Sequence, residues 1–70
     1  MITIRYKTRR GGSGMMNIAS RAACAQALER FARYRLEAHA EENSRVIGEA
    51  WRGETGWTWY CETEKVQVSP

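Results

Sequence analysis

The sequence predicts a single α+β domain, in which one helix packs on one face of an antiparallel sheet. Three observations predict this fold. The chain has 70 residues, enough for one domain. Strand-like alternation of apolar and polar residues occurs towards both ends. An alanine-rich segment with a helix cap lies between them, and alanine has the highest helix propensity. We expect a four-stranded sheet in the order ββαββ, or a five-stranded sheet if a short C-terminal strand is added.

The first element is predicted to be a β-hairpin over residues 1–19. Ile2, Ile4 and Tyr6 alternate with polar residues, which is the period-two pattern of a half-buried strand. Three glycines fall within residues 11–14 and can supply the positive φ angles of a tight reversal. The alternation then resumes in a second strand.

A capped helix is predicted over residues 20–43. Ser20 is a good N-cap because its hydroxyl can accept from an unpaired amide of the first turn. Glu29 lies four residues before Arg33, a favourable spacing for an ion pair on a helix. The apolar stripe of the helix contains Cys24, Ala27, Leu28, Phe31 and Tyr34.

The last hairpin is predicted over residues 45–63. A strand over 45–52 leads into a glycine-bounded turn at 53–56, and an aromatic, alternating strand follows. Its tryptophans, Trp51, Trp57 and Trp59, are too many for a small core to bury, and we expect at least one to pack inside. Residues 64–70 form a tail, in which Val66–Val68 is either a short edge strand or frayed.

The remaining composition points to a cytoplasmic, non-enzymatic protein. The alternating start does not read as a signal peptide, and no apolar run reaches the length of a membrane span. The isolated Cys24 and Cys61 are expected to be buried apolar residues. The single histidine, His39, falls in the last turns of the predicted helix and is interpreted as a surface residue. We expect no catalytic residue, metal or cofactor, since neither ligand pairs nor a nucleophile–base pair is evident.

Charge is distributed unevenly along the chain. Residues 1–35 carry a net charge of +7 and residues 36–70 a net charge of −4. Such asymmetry can indicate an acidic partner for the basic part. The alternative is that the two halves neutralise each other in the fold. The sequence leaves both interpretations open.

The basic residues of the first hairpin form the candidate partner-binding face. Residues at alternate positions of the first strand share its outward side, and an aromatic ring from the last hairpin can join them. Such a surface suits acidic protein groups or single-stranded nucleic acid. It is also compatible with a solvated sheet face that discourages aggregation. The candidate contact residues are Arg5, Lys7, Arg9, Arg10, Arg33 and Tyr60.

In the order and length of its elements, the chain resembles small phage-encoded anti-CRISPR proteins, in particular type I inhibitors built as one helix on an antiparallel sheet. The matching stretches are Thr3–Arg9, Met15–Ser20, the helix from Arg21, Arg45–Trp51 and Gly56–Glu62. The resemblance implies a non-enzymatic inhibitor that binds Cas subunits of a surveillance complex in the host cytoplasm. The basic N-terminal half argues against the DNA-mimicking mode of many such inhibitors.

The alternative function is a small nucleic-acid-binding accessory domain that uses the same basic, aromatic sheet face. The two hypotheses differ in the partner, a protein surface or a nucleic acid. A homodimer formed through an edge strand is compatible with either.

Overall fold

A computed structural model describes residues 1–62 of the protein and contains one helix and five strands, all paired antiparallel. The strand order in the sheet is β2-β1-β3-β4-β5. The predicted α+β class, with one helix on an antiparallel sheet, is confirmed. In chain order the elements are β1 (Ile2–Lys7), β2 (Ser13–Ile18), α1 (Arg21–Arg33), β3 (Ala38–Glu42), β4 (Arg45–Gly53) and β5 (Gly56–Cys61).

Both predicted hairpins are present. Strands β1 and β2 pair from Ile2↔Ile18 to Lys7↔Ser13, and β4 pairs with β5 from Gly48↔Cys61 to Gly53↔Gly56. Gly11 in the first loop has a φ of 87°, a conformation that glycine adopts at little cost. The glycine-rich segment therefore forms the predicted reversal.

The helix begins where the sequence predicts. The Ser20 hydroxyl accepts a hydrogen bond from Ala23 N at 3.1 Å. The predicted pair of Glu29 and Arg33 is also present, with 3.2 Å between Arg33 Nη2 and Glu29 Oε2. The N-terminal boundary is fixed by local chemistry, because the cap satisfies an amide that the helix itself leaves unpaired.

The predicted helix end near residue 43 is wrong, because the helix stops ten residues earlier, at Arg33. Arg35 adopts the left-handed conformation, with a φ of 62°, and Leu36 N donates to Phe31 O at 2.9 Å. These features turn the chain away from the helix axis, as in common helix C-caps. The segment after the turn becomes a strand.

That strand, β3, lies at the centre of the sheet between β1 and β4. Ala38 and Ala40 are buried, whereas His39 faces the other side. Burial between two neighbouring strands outweighs the helix propensity of these alanines. The chain order is therefore ββαβββ, and the fifth strand is internal. The alternative strand at Val66–Val68 lies outside the described residues.

The helix packs on one face of the sheet and lies mainly across β4 and β5. Alanines and a glycine on the central strands let it approach closely, and Phe31 stacks on Tyr6 with ring centroids 5.0 Å apart. Trp57 packs against the core as a partly buried residue, as expected for at least one tryptophan. The buried core comprises Ile2, Ile4, Cys24, Leu28, Ala32, Ala38, Ala40, Ile47 and Ala50.

Both cysteines are free thiols, and they lie at the contact between helix and sheet. Cys24 is buried, as predicted, whereas Cys61 is only partly buried. Within residues 1–62 the single helix is too short and too polar to cross a lipid bilayer.

Candidate functional site

The face of the sheet opposite the helix, which we call the open face, is the main candidate site. One row of side chains crosses all five strands there, because each member is the register partner of the next. We call this set the cross-strand row. From β2 to β5 it consists of Met15, Arg5, His39, Glu49 and Tyr60.

A shallow depression of about 540 Å³ lies on the open face. Arg5 and Lys7 line one side, and Glu49 and Trp51 line the other, with His39 between them. Strand β3 creates this arrangement by inserting between the two hairpins. Groups from the basic and acidic halves of the chain are thereby brought onto one surface.

The cations of the open face have nearby carboxylates. Arg5 Nε lies 3.5 Å from Glu41 Oε1, and Lys7 Nζ lies 3.5 Å from Glu37 Oε1. His39 Nε2 lies 3.3 Å from Glu41 Oε2, which becomes an ion pair when the imidazole is protonated. Exposed pairs of this kind contribute at most about 1 kcal/mol each. They do, however, make the open face mixed in charge rather than uniformly basic.

Two aromatic side chains stand on the open face beside these charges. The rings of Trp51 and Tyr60 meet edge to face, with centroids 5.9 Å apart. Trp51 is 38% exposed and Tyr60 is 42% exposed. The pairing of β4 with β5 places the two rings side by side on the open face.

The structure brings together only part of the predicted contact set. Arg5, Lys7 and Tyr60 share the open face, although three strand spacings, about 14 Å, separate Arg5 from Tyr60. Arg9 and Arg10 lie in the β1–β2 loop, where Arg9 Nη2 donates to Tyr34 O at 3.0 Å.

The sixth predicted contact residue, Arg33, is on the helix, which covers the opposite side of the sheet. The predicted contact residues therefore do not form one continuous patch.

Sequence reasoning missed three members of the cross-strand row. The sequence interpretation places His39 on the helix and singles out neither Glu49 nor Met15. The available signal was the alternation of Ala38, His39, Ala40 and Glu41, which has the period of a strand.

A second, smaller candidate lies where the helix ends. Lys7, Arg9 and Arg35 surround a depression of about 510 Å³, and Glu37 and Trp57 contribute to its wall. Arg9 is engaged by the carbonyl of Tyr34, whereas Arg35 makes no ion pair with any residue in 1–62. We call this cluster the basic end.

The Cys24 thiol offers little nucleophilic chemistry. Burial, together with a hydrogen bond to Cys61, raises the pKa of the Cys24 thiol to about 12. A thiol with so high a pKa carries almost no thiolate at neutral pH, and the thiolate is the reactive form. Over the described residues, no group of three or more His, Cys, Asp or Glu side chains is placed to hold a metal ion.

Comparison with protein-family models, with curated proteins and with solved structures gives no match to the chain.

Proposed function

We propose that the protein is a non-enzymatic protein-binding domain whose binding surface is the open face of the sheet. One observation carries the proposal. The open face holds two exposed, mutually positioned aromatic rings, Trp51 and Tyr60, beside paired and unpaired charges. Tryptophan, tyrosine and arginine are the residues most enriched at the energetic centres of protein interfaces.

The charge pattern favours a protein over a nucleic acid as the partner of this face. Glu37 and Glu41 stand beside the cations, and Glu49 makes no ion pair within residues 1–62. Three carboxylates would repel a phosphate backbone. A protein surface of mixed charge can satisfy both signs at once.

A non-enzymatic role is consistent with the position of the thiols within residues 1–62. His39 has a carboxylate neighbour, Glu41, but neither cysteine belongs to the cross-strand row. Cys24, the thiol whose pKa is raised, is buried under the helix. General-base catalysis through a nucleophile needs the two groups within hydrogen-bond reach.

At a finer level, we propose that the domain is a phage-encoded inhibitor that occupies a Cas subunit of a type I surveillance complex in the host cytoplasm. This rests on the resemblance in size and in the packing of one helix on an antiparallel sheet, since strand β3 adds an element to the order on which the resemblance is drawn. A small domain with an exposed, aromatic sheet face suits inhibition by covering a surface. In this proposal the contact surface is the open face with its mixed charge. It takes the place of the basic contact set that the sequence predicts.

The direct test is binding of the purified protein to a purified type I surveillance complex, measured by co-elution and by surface plasmon resonance. We expect Tyr60→Ala and Glu49→Lys each to weaken binding at least tenfold. Tyr60 supplies exposed aromatic area, and Glu49 lies in the middle of the cross-strand row.

The matched control is Glu54→Lys, which makes the same change in the exposed β4–β5 turn, where Glu54 has no ion-pair partner among residues 1–62. It should bind as the parent protein does. Absence of any binding by the parent protein would refute the inhibitor proposal. Binding that is equally strong in all three variants would refute the assignment of the open face.

The second candidate, binding of single-stranded nucleic acid, is favoured by the basic end rather than by the sheet face. Arg9, Arg35 and an indole ring around one depression can combine phosphate contacts with base stacking, while Lys7 is paired there with Glu37. Retardation of a single-stranded oligonucleotide at low salt, lost at high salt and in Arg35→Glu, would support it. No retardation at low salt would eliminate it.

A further inference from the structure

We propose that β2 is a dimerisation edge, and that two copies of the chain pair their β2 strands antiparallel about a two-fold axis at Met15. The proposal is independent of the partner of the open face. It rests on three features of β2: its unprotected edge, the direction of its backbone groups and the match between its own side chains.

Strand β2 is an edge strand without the usual protection. Edge strands of monomeric proteins commonly carry lysine, proline, a bulge or a covering loop, because their unpaired backbone groups recruit other strands. The sequence of β2, SGMMNI, contains neither charge nor proline, and its pairing with β1 runs without a bulge. Met15 is 61% exposed and Met16 is 38% exposed.

The hydrogen-bond directions show which residues of β2 can pair outward. Lys7 N donates to Glu37 O, so the odd-numbered residues of β1 point their backbone groups towards β3. The even-numbered residues of β1 therefore bond to β2, through register partners such as Ile4↔Met16. It follows that the backbone groups directed away from β1 belong to Ser13, Met15 and Asn17.

A two-fold axis at Met15 pairs all three of these residues. Met15 lies opposite Met15 of the second copy, and Ser13 lies opposite Asn17 of the second copy. An axis one residue further along, at Met16, would leave Ser13 without a partner inside the strand. The register centred on Met15 therefore uses the whole edge and satisfies the most backbone groups.

The side chains agree with this register on both faces. On the helix side, Met16 faces Gly14 of the second copy, and the ring of Tyr6 on β1 lies over that glycine. The thioether would therefore meet an aromatic ring, a contact that methionine sulfur favours. An apolar groove of about 140 Å³ opens beside it, between β2 and the helix, lined by Met16, Ala27, Arg30, Phe31, Tyr34 and Leu36. On the open face, the two Met15 side chains meet, and Ser13 and Asn17 can hydrogen-bond across the pair.

The other edge strand, β5, fits a second copy less well. The helix lies mainly over β4 and β5, whereas the helix side of β2 is left with the apolar groove. Neither edge strand contains an acidic or basic residue, so the difference between the two edges lies in the apolar groove beside β2 and not in charge.

The test is the mass of the full chain in solution as a function of concentration, measured by sedimentation velocity. We expect the parent protein to pass from monomer to dimer as concentration rises, and Met15→Lys to raise the dissociation constant at least tenfold. Val46→Lys is the matched control, since Val46 is also exposed on the open face but lies on the interior strand β4. Its dissociation constant should equal that of the parent.

A second variant tests the register directly. Directly opposed residues of a hydrogen-bonded antiparallel pair have Cα atoms about 5.5 Å apart, within the range that a disulfide spans. Met15→Cys should therefore form a covalent dimer under mild oxidation by diamide, and Thr58→Cys on β5 should not.

A parent protein that stays monomeric at millimolar concentration would overturn the proposal. A dimer that tolerates Met15→Lys but is disrupted by Thr58→Lys would assign the contact to β5 and overturn it equally. A dimer that depends on Met15 but fails to cross-link in Met15→Cys would overturn the register centred on this residue.

Discussion

Gly48 shows how a single residue sets the distance between helix and sheet. A Cβ atom at this position would lie 2.6 Å from Leu28 Cδ1 and 2.8 Å from the carbonyl oxygen of Tyr60. Leu28 is fully buried and the Tyr60 carbonyl is backbone, so neither group can move away cheaply. The glycine is therefore required by packing and not by its backbone conformation.

We predict that Gly48→Ala lowers the free energy of unfolding by about 1–3 kcal/mol, the usual cost of overpacking a core. Urea denaturation monitored by circular dichroism measures it. Gly53→Ala is the matched control in the same strand, because its nearest neighbour would be at an ordinary 3.4 Å. Equal losses in both variants would show that loss of the glycine backbone, and not the contact with Leu28, is responsible.

At the scale of the secondary-structure elements, the two ends of the helix are determined in different ways. The start at Ser20 could be predicted from the sequence, because a cap and the amide it accepts from lie within one turn. The end could not, because Arg35 takes the left-handed conformation that glycine usually occupies, and no glycine marks the position. The alanines of β3 favour a helix by their intrinsic propensity, whereas in the fold their small side chains allow close packing under the helix.

We predict that Ser20→Ala destabilises the protein by about 1 kcal/mol, through loss of the bond to Ala23 N. Ser20→Asp should retain the stability of the parent or exceed it, since it keeps the acceptor and adds negative charge where the first turn has no acidic residue. Thermal unfolding of the three proteins measures this. A loss in Ser20→Asp as large as that in Ser20→Ala would contradict the capping role.

At the scale of the whole molecule, the sequence left open whether the two oppositely charged halves meet. They do, because β1 of the basic half pairs directly with β3 of the acidic half. The pairs Arg5–Glu41, Lys7–Glu37 and Arg21–Glu42 all join the two halves. Strand order was needed to see this, and alternation patterns carry no information on which strands become neighbours.

The pair of Arg21 and Glu42 joins the helix start to the end of β3, with 2.9 Å between Arg21 Nη2 and Glu42 Oε1. The hydrogen bond from Arg21 lowers the pKa of Glu42 from its ordinary value of 4.5. A carboxylate whose pKa is lower in the folded state stabilises that state above pH 4.5. The stabilisation is lost as the pH falls through the folded-state pKa.

We predict that Glu42→Gln reduces the unfolding free energy at pH 7 and weakens its decline in acid. Urea midpoints of parent and variant at pH 7 and at pH 3 measure the difference, which should shrink at the lower pH. Glu54→Gln, in the exposed turn, should follow the parent at both values. A gap between parent and Glu42→Gln that is the same at both pH values would exclude the linkage.

The central position of β3 also has a kinetic consequence. The β1–β2, β3–β4 and β4–β5 pairs each join strands that are consecutive in the chain and separated by a short loop. Forming these pairs therefore costs little loop-closure entropy. The pairing of Arg5 with His39 is different, since the whole helix and β2 lie between them in the chain. This pairing closes the longest loop of the sheet and so has the largest single loop-closure cost, and we expect it to limit the folding rate. Changes along the β1–β3 seam are therefore expected to slow refolding, whereas changes at the hairpin tips should chiefly accelerate unfolding.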